Sequence, residues 1–376
     1  MVSFAPMEDL GIDQKYLEPS GVRPLDSVAG SYTYFADGDV LLAKITPCFE
    51  NGKLGIARDL ENGIGFGSSE YFVIRPSSRV TAEYLYYFLS QPSFREAGAQ
   101  SMTGAVGHKR VAKDFLEELA LPLPPHPEQQ RIVAILDEAF AGIATARAAA
   151  EQNRQNARAL FENHLQSVFS QRGEGWVEKP MCEVATILNG YAFKSGDFSS
   201  DGATKSIKIT NVGVREFVET SDSSLPADFA EKFASVAAPA GSLVIALTRT
   251  IIADGLKVAV VPPAYDRALV NQRVAALLPK PDEVSASYLF AYLSTSIVLN
   301  YVKARVNTLM QPNLSINDLR AMPIPLPPVS ERECIIDRLS ALEEETQHLE
   351  ALYQRKLEAL DELKQSLLQQ AFSGNL

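Results

Sequence analysis

Arg and Lys side chains can pair with phosphates or read guanine N7 and O6 in the major groove, while Asn and Gln can read adenine there. In this 376-residue chain such residues collect in or beside turn-rich stretches. In the first third they are Lys44, Lys53, Arg58, His108, Lys109 and Arg110, the last three within GHKRVAK (107 to 113). Further along they are Tyr191, Lys194, Lys208, Asn211, Arg249, Lys257, Arg305 and Gln311. These are the candidate nucleic-acid contacts. For each one alone, a solvated surface side chain is the plainer alternative.

Catalytic constellations are harder to find. Adenine methyltransferases hold the target amine with an Asn/Asp-Pro-Pro-aromatic loop, and the nearest string here, Pro262-Pro263-Ala264-Tyr265, is preceded by Val261 and interrupted by Ala264. It reads as a loop. Gly63-x-Gly65-x-Gly67 lacks the Lys-Ser/Thr of a phosphate loop and precedes an expected strand at Tyr71, so it reads as a hairpin turn. His108, His126, His164 and His348 are too far apart in sequence to suggest a metal site. The expectation is a non-catalytic chain without a metal of its own.

Composition narrows the class. At 46% hydrophobic and 22% charged, the chain is long enough for two or three cored domains and too apolar for disorder. No apolar run approaches the roughly 18 residues of a membrane helix. MVSFAPMEDL carries neither a basic nor an apolar secretory region, and three scattered cysteines, Cys48, Cys182 and Cys334, suggest a reducing compartment. Cytoplasm is expected, with no membrane partner. The net charge of −11 is unfavourable for DNA, but residues 323 to 376 alone hold 10 acidic against 5 basic residues. Local clusters govern phosphate contact, so a basic face elsewhere is compatible with that total.

The elements that must position the candidates repeat at a lag of 203 residues. LPLPPHPEQQRIVAIL (121 to 136) returns as IPLPPVSERECIIDRL (324 to 339), and Phe169-Ser170 returns as Phe372-Ser373. A match held over both halves indicates duplication. Each proline run starts a long helix, with Glu128 and Glu331 in equivalent first-turn positions where the helix dipole favours negative charge. The first helix shows an apolar seam at Leu136, Ala139, Ile143, Ala146, Ala150, Asn153, Ala157 and Leu160. The second shows Leu339, Leu342, Thr346, Leu349, Tyr353, Lys356, Leu360 and Leu363. This spacing predicts an antiparallel coiled-coil pair, thin against bulky, roughly 60 Å long for some 40 residues, with Asn153 and Lys356 as a register-fixing polar layer. A bundle helix is the alternative. The equivalent Glu128 and Glu331 junctions suit two copies of one partner.

Ahead of each helix lies an expected mixed α/β domain. Strands are predicted at 39–45 and 71–74 with a helix at 82–89, then strands at 242–247, 258–261 and 274–278 with a helix at 288–293. The frames are alike and the loops are not: TPCFENGKLG (46 to 55) has no likeness to TRTIIADGLK (248 to 257). The predicted fold class is α+β, with two tandem domains at 1–120 and 176–322, helices in 121–175 and 323–376, and an internal pseudo-two-fold repeat.

This order, together with PLPP-x-x-E twice, the terminal Leu368-Gln-Gln-Ala-Phe-Ser-Gly374 and the Ala185 to Ser195 stretch followed by Phe198, resembles the DNA-specificity subunit of type I restriction-modification enzymes. The resemblance covers nearly the whole chain. It implies a non-catalytic subunit with two target-recognition domains, each reading half of a split double-stranded DNA site. It further implies two methyltransferase subunits using S-adenosylmethionine and two restriction subunits using ATP and Mg, with those cofactors on the partners. Aligning Val2-Ser3-Phe4 with Ile207-Lys208-Ile209 leaves the first domain without a counterpart of residues 176 to 204. Either the native start lies upstream or this half is reduced. The rival reading is a coiled-coil scaffold that binds proteins and never touches DNA.

Overall fold

The computed structural model describes residues 1–376 apart from 106, 200, 201, 222, 223, 254 and 307–312. The chain divides into two compact units: Met1–Asn153 with Leu352–Leu376, and Arg154–Ala351. Among the described residues no helix is long and apolar enough to cross a membrane.

The first unit carries two small sheets. In one, the order is Gly21–Arg23, Val2–Ala5, Ile64–Gly67, Thr33–Ala36, with Val2–Ala5 parallel to Ile64–Gly67 and the other pairs antiparallel. The other is antiparallel, ordered Leu54–Ile56, Val40–Ala43, Tyr71–Ile74. The Gly63-x-Gly65-x-Gly67 run is therefore a turn followed by a strand, which corrects the hairpin expectation. A Cβ at Gly65 would lie 2.3 Å from the Phe35 ring, and one at Gly67 would lie 2.2 Å from the Ala5 carbonyl. Those glycines are there for close strand approach.

The second unit repeats this plan with one addition. Its first sheet runs Ser224–Leu225, Thr204–Ile207, Ala268–Val270, Ala237–Ala238, again with one parallel central pair. Its second runs Val258–Val260, Leu243–Ala246, Val274–Pro279, and then a fourth strand, Ala185–Asn189. Phe4 pairs with Phe66 as Ile207 pairs with Val270, and Ser3 pairs with Gly65 as Ser206 pairs with Leu269. The central strands thus correspond within a residue of the 203 lag, not at the 205 of the Val2-to-Ile207 alignment. The shared parallel pair sets that register.

Both units then place a short helix on the second sheet. Thr81 caps Ala82–Leu89 by accepting from Tyr84 N, and Ser285 caps Ala286–Leu293 by accepting from Tyr288 N. A hydroxyl at this position satisfies a backbone donor that the helix itself cannot, contributing about 1 kcal/mol. The residue after each PLPP-x-x-E glutamate is one lag apart too and ties the junction down. Gln129, 0% exposed, donates to the Pro124 and Arg79 carbonyls and accepts from Thr81 N. In the second unit Arg332 donates to the carbonyls of Pro327 and Glu283.

The long helices span His126–Ser170 and Val329–Ser373. In the first unit Ile132 and Leu136 share an apolar cluster with Leu368 and Ala371, Lys364 Nζ lies 5.3 Å from the Phe140 ring centre, and Arg147 pairs with Asp361. In the second, Arg158 pairs with Glu350 at 3.2 Å, and Phe161 and Leu165 share a cluster with Leu339 and Ile336. Within each unit the order of partners is reversed, so the segments run antiparallel. The buried positions are Leu136, Ile143, Ala150, Ala157, Phe161, Leu165 and Phe169 in one helix and Leu339, Thr346, Leu357, Leu368 and Ala371 in the other. Asn153, Leu160, Lys356 and Leu363 are exposed, which removes them from the seam and removes the expected polar layer. A straight helix drifts about 20° per heptad from a 3.5-residue repeat, and the seam moves over by one residue at Phe161 and at Leu357.

Each core is closed by a phenylalanine near the end of a long helix. Phe169, fully buried, packs between Tyr288 and Tyr292 with ring centres 5.3 and 5.2 Å away. Phe372 sits 5.1 and 5.3 Å from Tyr84 and Phe88. Removing the Phe169 ring leaves a cavity, so Phe169→Ala should cost the second unit about 3–5 kcal/mol. Denaturant unfolding followed by amide exchange should show its helix Ala286–Leu293 losing protection, with Ala82–Leu89 unaffected. Burial also pushes the Tyr292 hydroxyl, which donates to the Pro323 carbonyl at 2.8 Å, up to about 12. A phenol with a raised folded value contributes stability that is complete below its unfolded value, about 10. Stability should therefore fall as pH rises from about 10 to about 12, and Tyr292→Phe should flatten that fall in alkaline titrations.

Candidate nucleic-acid interface

In the first unit one cluster forms from three separate stretches. Thr46 N donates to the Lys109 carbonyl, Val111 N to Lys44 O and Lys44 N to Glu70 O, so Lys44 and residues 108–110 lie side by side. His108, Lys109 and Arg110 are exposed, while Lys44 is half-buried with Nζ 5.6 Å from the Phe72 ring. Arg110 forks onto Glu70, Nε to Oε2 at 2.9 Å and Nη2 to Oε1 at 2.7 Å. The hydrogen bond from Arg110 holds the Glu70 carboxyl below its ordinary range. Glu70 was not among the sequence candidates. Its signal was its place beside the Tyr71 strand, which no spacing rule connects to Arg110.

The other two candidates in this unit lie apart from that cluster. Arg58 stacks on Tyr16 with Cζ 3.6 Å from the ring centre and pairs with Asp59 at 3.3 Å. It remains exposed. Lys53 is half-buried and donates to the Met7 carbonyl at 2.7 Å, which ties the first strand's exit to the Leu54–Ile56 strand. That bond makes Lys53 a fold contact.

In the second unit two candidates prove internal. Asn211 is 0% exposed, with Nδ2 donating to Val218 O and Thr220 Oγ1 and Oδ1 accepting from Lys208 N. All its polar capacity serves the turn at Ile209–Asn211, so it has nothing left for a base edge. Lys257 is buried and donates to Ile209 O at 2.6 Å. Burial, assisted by the nearby Arg249 charge, lowers its pKa. Both residues are fold contacts and not candidates for DNA: each lies near a turn because it holds that turn together.

The remaining candidates are on the surface. Tyr191 is 47% exposed and rests on Phe193 and Phe233, with ring centres at 5.2 and 4.5 Å. Lys208 Nζ lies 4.0 Å from the Phe198 ring, and Lys194 is exposed on the same loop. Gln272 N donates to Tyr191 O and Leu247 N to Arg273 O, so Tyr191, Gln272, Arg273 and the stretch entering Arg249 follow one another along the strand ends. Gln272 and Arg273 are exposed, and no motif or spacing in the sequence marks either of them. Arg249 is exposed with φ at 48°, a left-handed conformation that costs a non-glycine residue free energy and is characteristic of loops that present a side chain. Arg305 stacks on Tyr301 at 3.6 Å, with Nε 3.9 Å from Asp318. Gln311 lies outside the described residues.

The two helix starts differ in detail. Glu128 and Glu331 donate their N–H groups to the carbonyls of Pro125 and Pro328, each at 2.9 Å. Glu128 is also gripped by Arg131 at 2.7 and 2.8 Å, and Arg131 reaches Leu376 O at 2.6 Å. The position one lag from Arg131 is Cys334, so the second junction lacks that grip. Among the described residues no group of three His, Cys, Asp or Glu side chains could hold a metal ion.

The type I restriction modification DNA specificity domain matches residues 29–152 and 173–359. The chain is 27% identical to the specificity subunit of the Escherichia coli type I restriction enzyme EcoAI, over 91% of this chain and 73% of that one. It is 41% identical to the EcoEI specificity subunit of Escherichia coli over 35% of this chain and 22% of the other. The corresponding values for the MjaVIII specificity subunit of Methanocaldococcus jannaschii are 26%, 78% and 70%. Two solved structures share the fold. One, described as "Structural basis underlying complex assembly and conformational transition of the type I R-M system", aligns over 100% of this chain and 92% of its own at 20% identity, with a TM-score of 0.80. The other, the HsdS subunit from Thermoanaerobacter tengcongensis, aligns over 100% and 91% at 19% identity, with a TM-score of 0.65. With one family matching both halves of a chain built twice on one plan, this protein belongs to the type I restriction modification DNA specificity family.

Proposed function

We propose that this chain is the sequence-reading subunit of a type I restriction-modification system, and that its two halves each read part of a bipartite double-stranded DNA site. The observation that carries this is two like frames with unlike cationic tips: His108, Lys109 and Arg110 on one, Tyr191, Lys208, Arg249 and Arg273 on the other. Loops on a rigid frame can change their reading without changing the fold. The domains are taken as 1–120 and 176–322, with helices in 121–175 and 323–376 serving as an antiparallel coiled-coil spacer between modules related by a pseudo-two-fold. The repeated caps at Thr81 and Ser285 and the repeated wedges at Phe169 and Phe372 support that relation.

The chemistry is assigned to partners. In this reading the subunit is non-catalytic and works in the cytoplasm. The junctions at Glu128 and Glu331 are where two methyltransferase subunits dock, bringing S-adenosylmethionine, while restriction subunits bring ATP and Mg. The family and the relatives' names favour DNA reading over a protein-only scaffold.

Single-molecule methylome sequencing of the source cell, with and without this gene, tests the proposal. Loss of N6-methyladenine from one split motif is expected, and an unchanged methylome would sink it. Within that assay, replacing Lys109 and Arg110 together by Ala should lower methylation through one half-site by roughly tenfold to a hundredfold, the range expected for lost base contacts. Lys257→Met should act differently. It strands the Ile209 carbonyl, lowering stability by about 1–3 kcal/mol in denaturant unfolding without changing which motif is modified.

A further inference from the structure

The stretch that leaves the central parallel strand of each unit's first sheet, Val2–Ala5 in one and Thr204–Ile207 in the other, reaches across to the long helices. In the second unit it forms the tight turn 212–217, closed by the Val212 to Phe217 bridge and by Gly213 N donating to the Glu216 carbonyl at 2.8 Å. Arg215 in this turn has φ at 60°. Its half-buried guanidinium pairs with Glu343 at 2.6 Å and lies with Cζ 5.0 Å from the Phe161 ring centre, so one side chain touches both long helices. Its neighbour Val214 bridges Val258, and a Cβ at Gly255 would lie 2.5 Å from Val214 Cγ1. Gly255 and Leu256 form the return arm of a hairpin whose outgoing arm, Ile251–Ile252, begins just after Arg249.

The first unit makes the same link with other residues. Residues 11–17 run along the corresponding arm: Leu54 N donates to the Gly11 carbonyl at 3.3 Å, Ile12 bridges Lys53, and Leu17 N donates to the Ile56 carbonyl at 2.9 Å. Asp13 has φ at 58°, and its carboxylate meets Lys364 Nζ of one long helix at 2.6 Å. Lys15 Nζ meets Asp137 of the other at 2.6 Å. This arm returns from the turn that begins at Thr46, whose N–H donates to the Lys109 carbonyl. Ion pairs this exposed add little stability, and a left-handed backbone costs a residue other than glycine free energy. Stability alone does not account for a strained charged residue at this place in both units.

We propose that the two stretches are struts, with Arg215 and Asp13 as positioning residues. Arg215 holds the Arg249 hairpin against the helix pair, and Asp13 holds the Thr46 hairpin, with the 108–110 loop on it. The inference rests on the DNA reading proposed above and adds that accuracy in each half depends on side chains engaged with the helices.

The test reads methylation at single-molecule level in cells that hold the chain with its partner subunits, and amide exchange in the purified full chain. Arg215→Asn leaves the left-handed backbone accessible, which asparagine tolerates, but is too short to reach Glu343. Sites with one wrong base in one half of the motif should gain methylation relative to correct sites by roughly tenfold, the scale of one base contact, while mismatches in the other half stay rejected. The Lys257 amide, which donates to the Thr250 carbonyl at 2.8 Å, should exchange roughly tenfold faster at an unchanged melting temperature. Exchanging the charges, Arg215→Glu with Glu343→Arg, should restore much of both, and Glu343→Arg alone should not. Asp13→Gly should move the relaxed discrimination to the other half. Faster exchange with unchanged discrimination would make the turn a structural tie only and overturn the proposal, as would no change in either. A cell in which the unaltered chain directs methylation to no split motif would instead remove the DNA reading, and this role with it.

Discussion

The packing of one phenylalanine from a long helix between two rings of a short capped helix is the interaction on which each unit depends. In the second unit Phe169 precedes its partners, Tyr288 and Tyr292, by more than a hundred residues. In the first, Phe372 follows Tyr84 and Phe88 by nearly three hundred. Neither core can be completed by local contacts. The cost of closing such long loops grows only slowly with their length, so the thermodynamic burden is modest. The kinetic burden is larger, because non-local contacts must form before they stabilise anything. The helical side of the first unit is therefore completed by residues within 352–376.

Around those wedges the two halves solve local problems with interchangeable chemistry. Thr81 and Ser285 satisfy the same helix donor, and Gln129 and Arg332 tie down the same proline junction with an amide in one case and a guanidinium in the other. This explains what was legible in the sequence. Strands 40–43, 71–74, 243–246 and 274–279, and the helix at 82–89, follow from apolar patterning, and the 203 lag from repeated prolines. The Gln129 and Arg332 locks were illegible because the two residues share no type. Asn211 and Lys257 misled for the reverse reason: a polar residue near a turn can serve the turn as readily as a ligand, and only their burial and saturated bonds distinguish the two. The helix seam was legible to within one residue, and the miss at Leu160 and Leu363 is the drift of a straight helix from a heptad.

Charge is arranged so that an acidic chain can still present cations. Arg110 is forked on Glu70, Arg58 is stacked on Tyr16 beside Asp59, and Arg305 lies on Tyr301 near Asp318. Exposed pairs of this kind add little stability. They do restrict where a long side chain points, and a guanidinium already ordered loses less freedom on meeting a phosphate or a base. A carboxylate in the pair also repels phosphate, so the arrangement favours a ligand that displaces the pairing at a defined place over one that merely lies nearby.

The difference between the halves lies at their edges more than in their frames. In the second unit the strand Ala185–Asn189 covers the sheet and leads directly into Tyr191 and Phe193, so edge closure and surface chemistry are one continuous stretch of chain. Where that strand lies, Ala275 and Ala276 suffice beneath it, since its own side chains fill the space. The first unit has Phe72 and Val73 at those positions, and its cationic tip at 108–110 is built instead on Glu70. Glu70, forked by Arg110, immediately precedes the Tyr71–Ile74 strand, so this edge of the sheet and the 108–110 loop are adjacent.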